Sequence, residues 1–172
     1  MSRGCICGGN SGDGFKDKCF EFLCEDDGVF GFFYRFEEDS TFPLPANNTP
    51  IPFNQQGPFR GIFHDKVNTP EEIKLLKTGI YEVTFYADSG GPDYFGIELA
   101  GTLLPESIYR SRSAAGIKYG QVIIRVDTPN TLLRFLFVFR APSTLAAKNN
   151  AVGAPVAVNV SLKVIKLGEV PV

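Results

Sequence analysis

From Arg60 onward, short apolar stretches rich in β-branched and aromatic residues recur about every ten to fifteen residues, and turn residues separate them. "GIFHDKV", "EIKLL", "GIYEVTFYA", "YFGIELAG", "LLPESIY", "GQVIIRV", "TLLRFLFVFRA" and "VAVNVSLKVIKL" read as strands. "NTPE", "KTG", "DSGGPD", "RSAAGIKYG" and "DTPN" read as their connections. Upstream, "GVFGFFYRF" is one more strand, and "TFPLPANNTPIPFNQQGPF" carries five prolines and reads as an extended loop or edge segment. Helical periodicity is almost absent; "PSTLAAKNNA" offers a single turn. Such a pattern confines the chain to an all-β fold, an antiparallel β-sandwich of about eight to ten strands arranged as a jelly roll.

Two strands show how the faces are used. In "VAVNVSLKVIKL" the apolar set Val156, Val158, Val160, Leu162, Val164 and Ile165 nearly alternates with Ala157, Asn159, Ser161 and Lys163, so one face is buried and one is wetter. Leu132 to Phe139 is apolar on both faces except at Arg134. Alternation puts Phe135 and Phe137 on one face and Leu136 and Val138 on the other. Both faces are expected to be buried, the outer one under a loop or a neighbouring subunit.

The leader is of another kind. Residues 1–27 are glycine-rich, end in the acidic "EDD", and hold all four cysteines, Cys5, Cys7, Cys19 and Cys24. The expected organisation is a Cys/Gly-rich N-terminal arm over 1–27 and a jelly-roll domain over 28–172. "CFEFLC" alone in the arm alternates like a strand. Structural zinc calls for two Cys-x2–4-Cys pairs; Cys5-x-Cys7 is too close, and Cys19-x4-Cys24 lies at the edge of that range. Disulfides between subunits, a bound metal, and unpaired or intrachain thiols are the three readings of this cluster. Intersubunit disulfides are the preferred one, with no metal and no cofactor, because thiols confined to an arm cannot staple the body that follows.

Charge and chemistry narrow the function. A formal net charge of −2 gives no electrostatic basis for binding nucleic acid or anionic membranes. No apolar run reaches the ~18 residues of a membrane span, and the N-terminus lacks a signal-peptide core. The chain is therefore expected to be made in a cytoplasm without a signal peptide, and to reach a spore or cell surface on assembly. His64, the single histidine, neighbours Asp65, but adjacent strand residues face opposite ways, and no Gly-x-Ser-x-Gly turn presents a nucleophile. The expectation is no enzyme. Asp88 and Asp93 around Gly-Gly-Pro, and Glu25, Asp26 and Asp27, lack the density of calcium loops and read as solvated turns. Arg110, Arg112 and Lys118 form a small basic loop. Eight of the sixteen phenylalanines lie between Phe30 and Phe63, more than a proline-broken segment needs, so part of them reads as subunit-contact surface.

"GIYEVTFYA", "GIELAGTLLPESIYRS", "YGQVIIRV" and "VNVSLKVIKL", with the signature at Gly79, Ile80 and Tyr81, resemble the globular heads of the tumour-necrosis-factor and complement type. The resemblance spans roughly Arg60 to Leu167 and is nearest the bacterial branch on the outer layer of Bacillus-type spores: the head of the collagen-like exosporium glycoprotein and the exosporium basal-layer protein. It implies a jelly roll, usually trimeric, with a structural role and no catalysis. There is no Gly-X-Y tract, hence no collagen stalk. The cysteine arm is similar, by architecture only, to subunits of endospore appendages, in which an arm docks on the next subunit. The reading is a structural protein of a spore surface or fibre, assembling with itself and with other spore-surface proteins through jelly-roll contacts and an arm with intersubunit disulfides. The alternative is a trimeric receptor- or glycan-binding head on an adhesin or phage tip, with a site on loops Asp88–Tyr94 or Tyr109–Tyr119.

Overall fold

A computed structural model of the chain describes residues 28–36, 41–110, 116–139, 142–147 and 156–171. They form fourteen strands in two antiparallel sheets: β1 Phe30–Phe36, β2 Phe42–Leu44, β3 Thr49–Pro50, β4 Gln55–Arg60, β5 Ile62–Asp65, β6 Thr69–Leu75, β7 Gly79–Ser89, β8 Tyr94–Leu99, β9 Thr102–Leu103, β10 Tyr109–Arg110, β11 Gly116–Val126, β12 Thr131–Phe139, β13 Ser143–Leu145 and β14 Val158–Gly168. Nine have four residues or more, within the expected eight to ten. The antiparallel β-sandwich jelly roll is what the sequence pattern called for.

In the first sheet β7 is central. It pairs with β11 on one edge and with β14 on the other, and β1 and β4 extend the sheet beyond β14. The second sheet runs β10-β8-β12-β6-β5, with β3 continuing the edge of β12 past β6. The proline-rich stretch supplies short strands at the margins, as expected: Pro58 sits in β4, the outer strand beyond β1, beside a register shift between Gly31 and Phe33. There a missing N–H costs no ladder bond.

Between the sheets, Tyr81, Val83, Phe85 and Ala87 of β7 and Val160, Leu162 and Val164 of β14 face Phe95, Ile97, Leu133, Phe135 and Phe137. The closest cross-sheet ring pair is Phe85–Phe135, with centroids 4.7 Å apart. Gly120 on β11 stands opposite Phe85, and a Cβ there would lie 2.2 Å from the Phe85 ring and 2.7 Å from that of Tyr109. The glycine admits both rings, which meet edge-on at 5.7 Å.

The double-sided burial expected of β12 holds for Leu136, which is 2% exposed on the face away from the core; Val138 is half-buried. A loop supplies the cover. Leu103, Val138 and Ile108 crowd the Gly96 position directly beside Leu136, so the β9–β10 excursion lies over this face. Arg134, the polar exception, pairs with Glu72 and with Glu98 (3.3 Å), tying β6, β12 and β8.

Four expectations need correction. "LLPESIY" is not one strand: Pro105–Ser107 form a 3-10 turn between β9 and β10, where Pro fits the first position. "RSAAGIKYG" is not all loop, because Gly116 to Gly120 begin β11. Ser143–Leu145 of "PSTLAAKNNA" form a strand and not a helical turn. On β14 it is Lys166, bonded to Glu169, that faces inward, while Ile165 points out, because the alternation continues unbroken.

Two substitutions check this packing by equilibrium unfolding. Leu136→Asp should cost about 3 kcal/mol or more, from the lost side chain and a buried charge. Gly120→Ala should cost about 1–3 kcal/mol through overpacking against Phe85. An unchanged midpoint for either contradicts the corresponding contact.

Candidate functional site

The first sheet is covered on one face only among the described residues. Its inward residues form the core, so strict alternation leaves a second, ordered set on the outside. Register aligns these outward residues in rows across the strands. One row runs Tyr119, Tyr86, Ser161, Tyr34; the next Gln121, Thr84, Lys163, Phe32; the third Ile123, Glu82, Ile165, Phe30. On β11, Ile117, Tyr119 and Ile123 are each 61–62% exposed, which is unusual for residues of this size. On β1, Phe32 stacks on Tyr34 at 5.4 Å and Tyr34 meets Phe36 at 5.2 Å, an aromatic ladder along the strand. Between the two apolar flanks, Lys163 and Glu82 form an ion pair of 3.4 Å. The face is thus amphipathic: apolar at its sides, with a neutralised pair at its middle.

Part of this surface was legible. The phenylalanine excess between Phe30 and Phe63 reads in the sequence as subunit-contact surface; of its exposed members Phe30 and Phe32 lie on this face, whereas Phe63 lies on β5 of the second sheet. The β11 contribution was missed. Its alternation is present in "GIKYGQVIIRV", but the inward positions there hold Lys118 and Gly120 in place of apolar residues, which hides the period.

The chemistry-bearing residues are placed as follows. His64 is 6% exposed and lies between the sheets, edge-on to Phe33 at 5.0 Å. Its Nε2 is 3.1 Å from the Pro70 carbonyl, and Nδ1 is 3.2 Å from Oε1 of Gln56. The carbonyl can only accept, so Nε2 carries the proton and donates to it; Nδ1 then accepts from the Gln56 amide in its flipped orientation. Asp65 faces away and caps the β5–β6 turn, accepting from the amides of Val67 and Asn68 (3.0 Å each) and from the Asn68 side chain (2.7 Å). The Asn68 bonds hold its carboxyl below the usual range. The two side chains do not form a dyad, in line with the opposite-face expectation.

Asp93 corrects the reading of a solvated turn: it is buried, and its Oδ2 accepts from Ser89 and Ser143. Lys118 likewise is no part of an exposed basic loop, since it is 2% exposed and donates to the carbonyls of Ser89 (3.0 Å) and Gly116 (2.7 Å). Burial lowers its pKa, with Asp93 and Asp88 acting in the opposite sense. Arg110 is exposed and donates to the Tyr94 hydroxyl at 2.8 Å. Cys5, Cys7, Cys19 and Cys24, with the whole 1–27 arm, Glu25, Asp26, Asp27 and Arg112, lie outside the described residues. Among the described residues no group of three or more His, Cys, Asp or Glu side chains is placed to hold a metal.

No family model matches the sequence, and no curated protein matches it. Among solved structures the chain is similar to murine APRIL crystallised at pH 8.0, with a TM-score of 0.50 and 13% identity over 81% of this chain and 99% of that one. It is also similar to the Eiger TNF from S. frugiperda, with a TM-score of 0.52 and 10% identity over 84% of this chain and 96% of the other. At such identities the likeness carries the fold alone, a TNF-like jelly roll.

Burial is the leading cause that lowers the His64 pKa from its ordinary 6.5, outweighing the Pro70 carbonyl and Asp65. The unfolded chain therefore takes up a proton before the folded one does. Stability is complete above about pH 6.5 and falls as pH drops through that value toward the lowered folded-state pKa. His64→Gln should flatten the part of the stability profile between about pH 7 and pH 5, measured by urea unfolding. Identical slopes for both proteins would show that His64 protonates equally in the two states.

Proposed function

We propose that the chain is a structural, self-assembling protein whose subunits meet through the outer face of the first sheet. The observation that carries this is the aligned set of exposed apolar side chains on β11 and β1, flanking the Glu82–Lys163 pair. A monomer leaves such a face in water at a continuing cost, and burying it against a second copy removes that cost. The fold supports the same reading, because the resemblance to TNF- and complement-type heads implies an assembly of identical subunits. The finer reading follows the bacterial spore-surface branch of that resemblance: a surface layer or fibre, with the arm of residues 1–27 laid on a neighbour and locked by disulfides from Cys5, Cys7, Cys19 and Cys24 once conditions become oxidising. Strand addition is reversible on its own, and a covalent bond makes the assembly resistant to denaturant. A chain made in the cytoplasm folds its cysteine-free body before such bonds form.

Light scattering coupled to size exclusion, in reductant, tests the sheet contact. The wild type should elute as an oligomer, and Tyr119→Glu with Ile123→Glu should elute as a folded monomer. A monomeric wild type, or an oligomer that survives both glutamates, removes the proposed interface. Non-reducing gels test the arm separately: oxidised wild type should form covalent multimers, and the variant with all four cysteines changed to Ser should not.

A further inference from the structure

Where β7 turns into β8, Gly90, Gly91, Pro92 and Asp93 face Pro142, Ser143 and Thr144 across an open cleft of about 510 Å3. That volume lies inside the ~300–1,000 Å3 typical of small-molecule sites. Asp93 is only 1% exposed. Its Oδ2 is doubly satisfied, by Ser89 Oγ at 2.6 Å and Ser143 Oγ at 2.7 Å, while its Oδ1 has no hydrogen-bond partner. Buried carboxylate oxygens are normally paired, so a rigidly held, half-used carboxylate in a cleft wall is an acceptor awaiting a donor.

The surroundings decide which donor. Lys118 offsets the charge at a distance but spends its ammonium on the carbonyls of Ser89 and Gly116, leaving Oδ1 open. Lys118 is already the cation near Asp93, which favours a neutral donor over a second charge. Pro92 and Pro142 give the cleft apolar walls. Gly91 lies against the acceptor: a Cβ there would stand 2.7 Å from Oδ1. The turn over Oδ1 must shift outward to admit a hydroxyl, and consecutive glycines keep that shift cheap.

We infer that this cleft is a seat for a carbohydrate ring, with Asp93 Oδ1 accepting a ring hydroxyl and the surfaces of Pro92 and Pro142 meeting the C–H face of the sugar. The seat lies at the loop end of the sandwich and does not depend on the sheet contact proposed above. Methyl α-D-mannopyranoside, methyl β-D-galactopyranoside and N-acetyl-D-glucosamine, each titrated into the 15N-labelled full chain, provide the test. At least one should shift the amides of Gly90, Gly91, Asp93 and Ser143 saturably in the millimolar range. Asp93→Asn should weaken that binding tenfold or more. Gly91→Ala, whose Cβ would crowd Oδ1, should weaken it similarly in a protein whose spectrum outside the cleft is unchanged. Failure of all three sugars to shift these amides overturns the inference. So does binding that Asp93→Asn and Gly91→Ala leave intact, or a response at these amides to calcium chloride alone.

Discussion

An eleven-residue strand paired along both edges has almost no freedom of register, and β7 is that strand. β11 pairs with it at every position from Gly79 to Ser89, and β14 from Ile80 to Ala87. A slip of one residue would send Tyr81, Val83 and Phe85 into water and Ile80, Glu82, Thr84 and Tyr86 into the core. The loss of three large buried side chains makes that slip prohibitive. The inward set therefore fixes the outward set, and the outward rows of β11, β14 and β1 inherit their alignment from it. The candidate contact surface is in this sense a consequence of the core.

The same logic explains the unusual inward positions of β11. Phe85 reaches Phe135 across the sandwich, and Tyr109 closes the open corner by donating to the Gln121 carbonyl at 2.7 Å. The two rings leave no volume for a side chain on the strand between them, so glycine stands at residue 120. Lys118 takes the next inward place toward the sandwich end, where free carbonyls of Ser89 and Gly116 receive its ammonium. Core packing and polar satisfaction together determine a stretch that hydrophobic pattern alone leaves ambiguous.

That ambiguity marks the boundary of what the sequence made legible. β7 and most of β14 were readable because a clean period of two carries them, and β12, with the two-sided burial of Leu136, because it is an apolar run with one arginine. The first half of β11 was not readable, since Lys118 and Gly120 occupy the core-facing positions. β9, β10 and β13 are too short to show any period, and Pro105 broke a segment that composition made look continuous. Asp93 looked like a turn residue because nothing local distinguishes a solvated aspartate from one held by Ser89 and Ser143, the second of them fifty residues away. The cysteine cluster was the plainest signal in the chain, yet its meaning rests on partners that spacing cannot specify.

The central claim is that the outward rows of the first sheet lie against another copy of the chain. Placing a photo-crosslinking amino acid at Tyr119, in a mixture of isotopically light and heavy chains, tests it most directly. The account expects light–heavy crosslinks by mass spectrometry, landing on outward residues of β1, β7, β11 or β14. Crosslinks confined to a single chain, or landing on the second sheet, would contradict it.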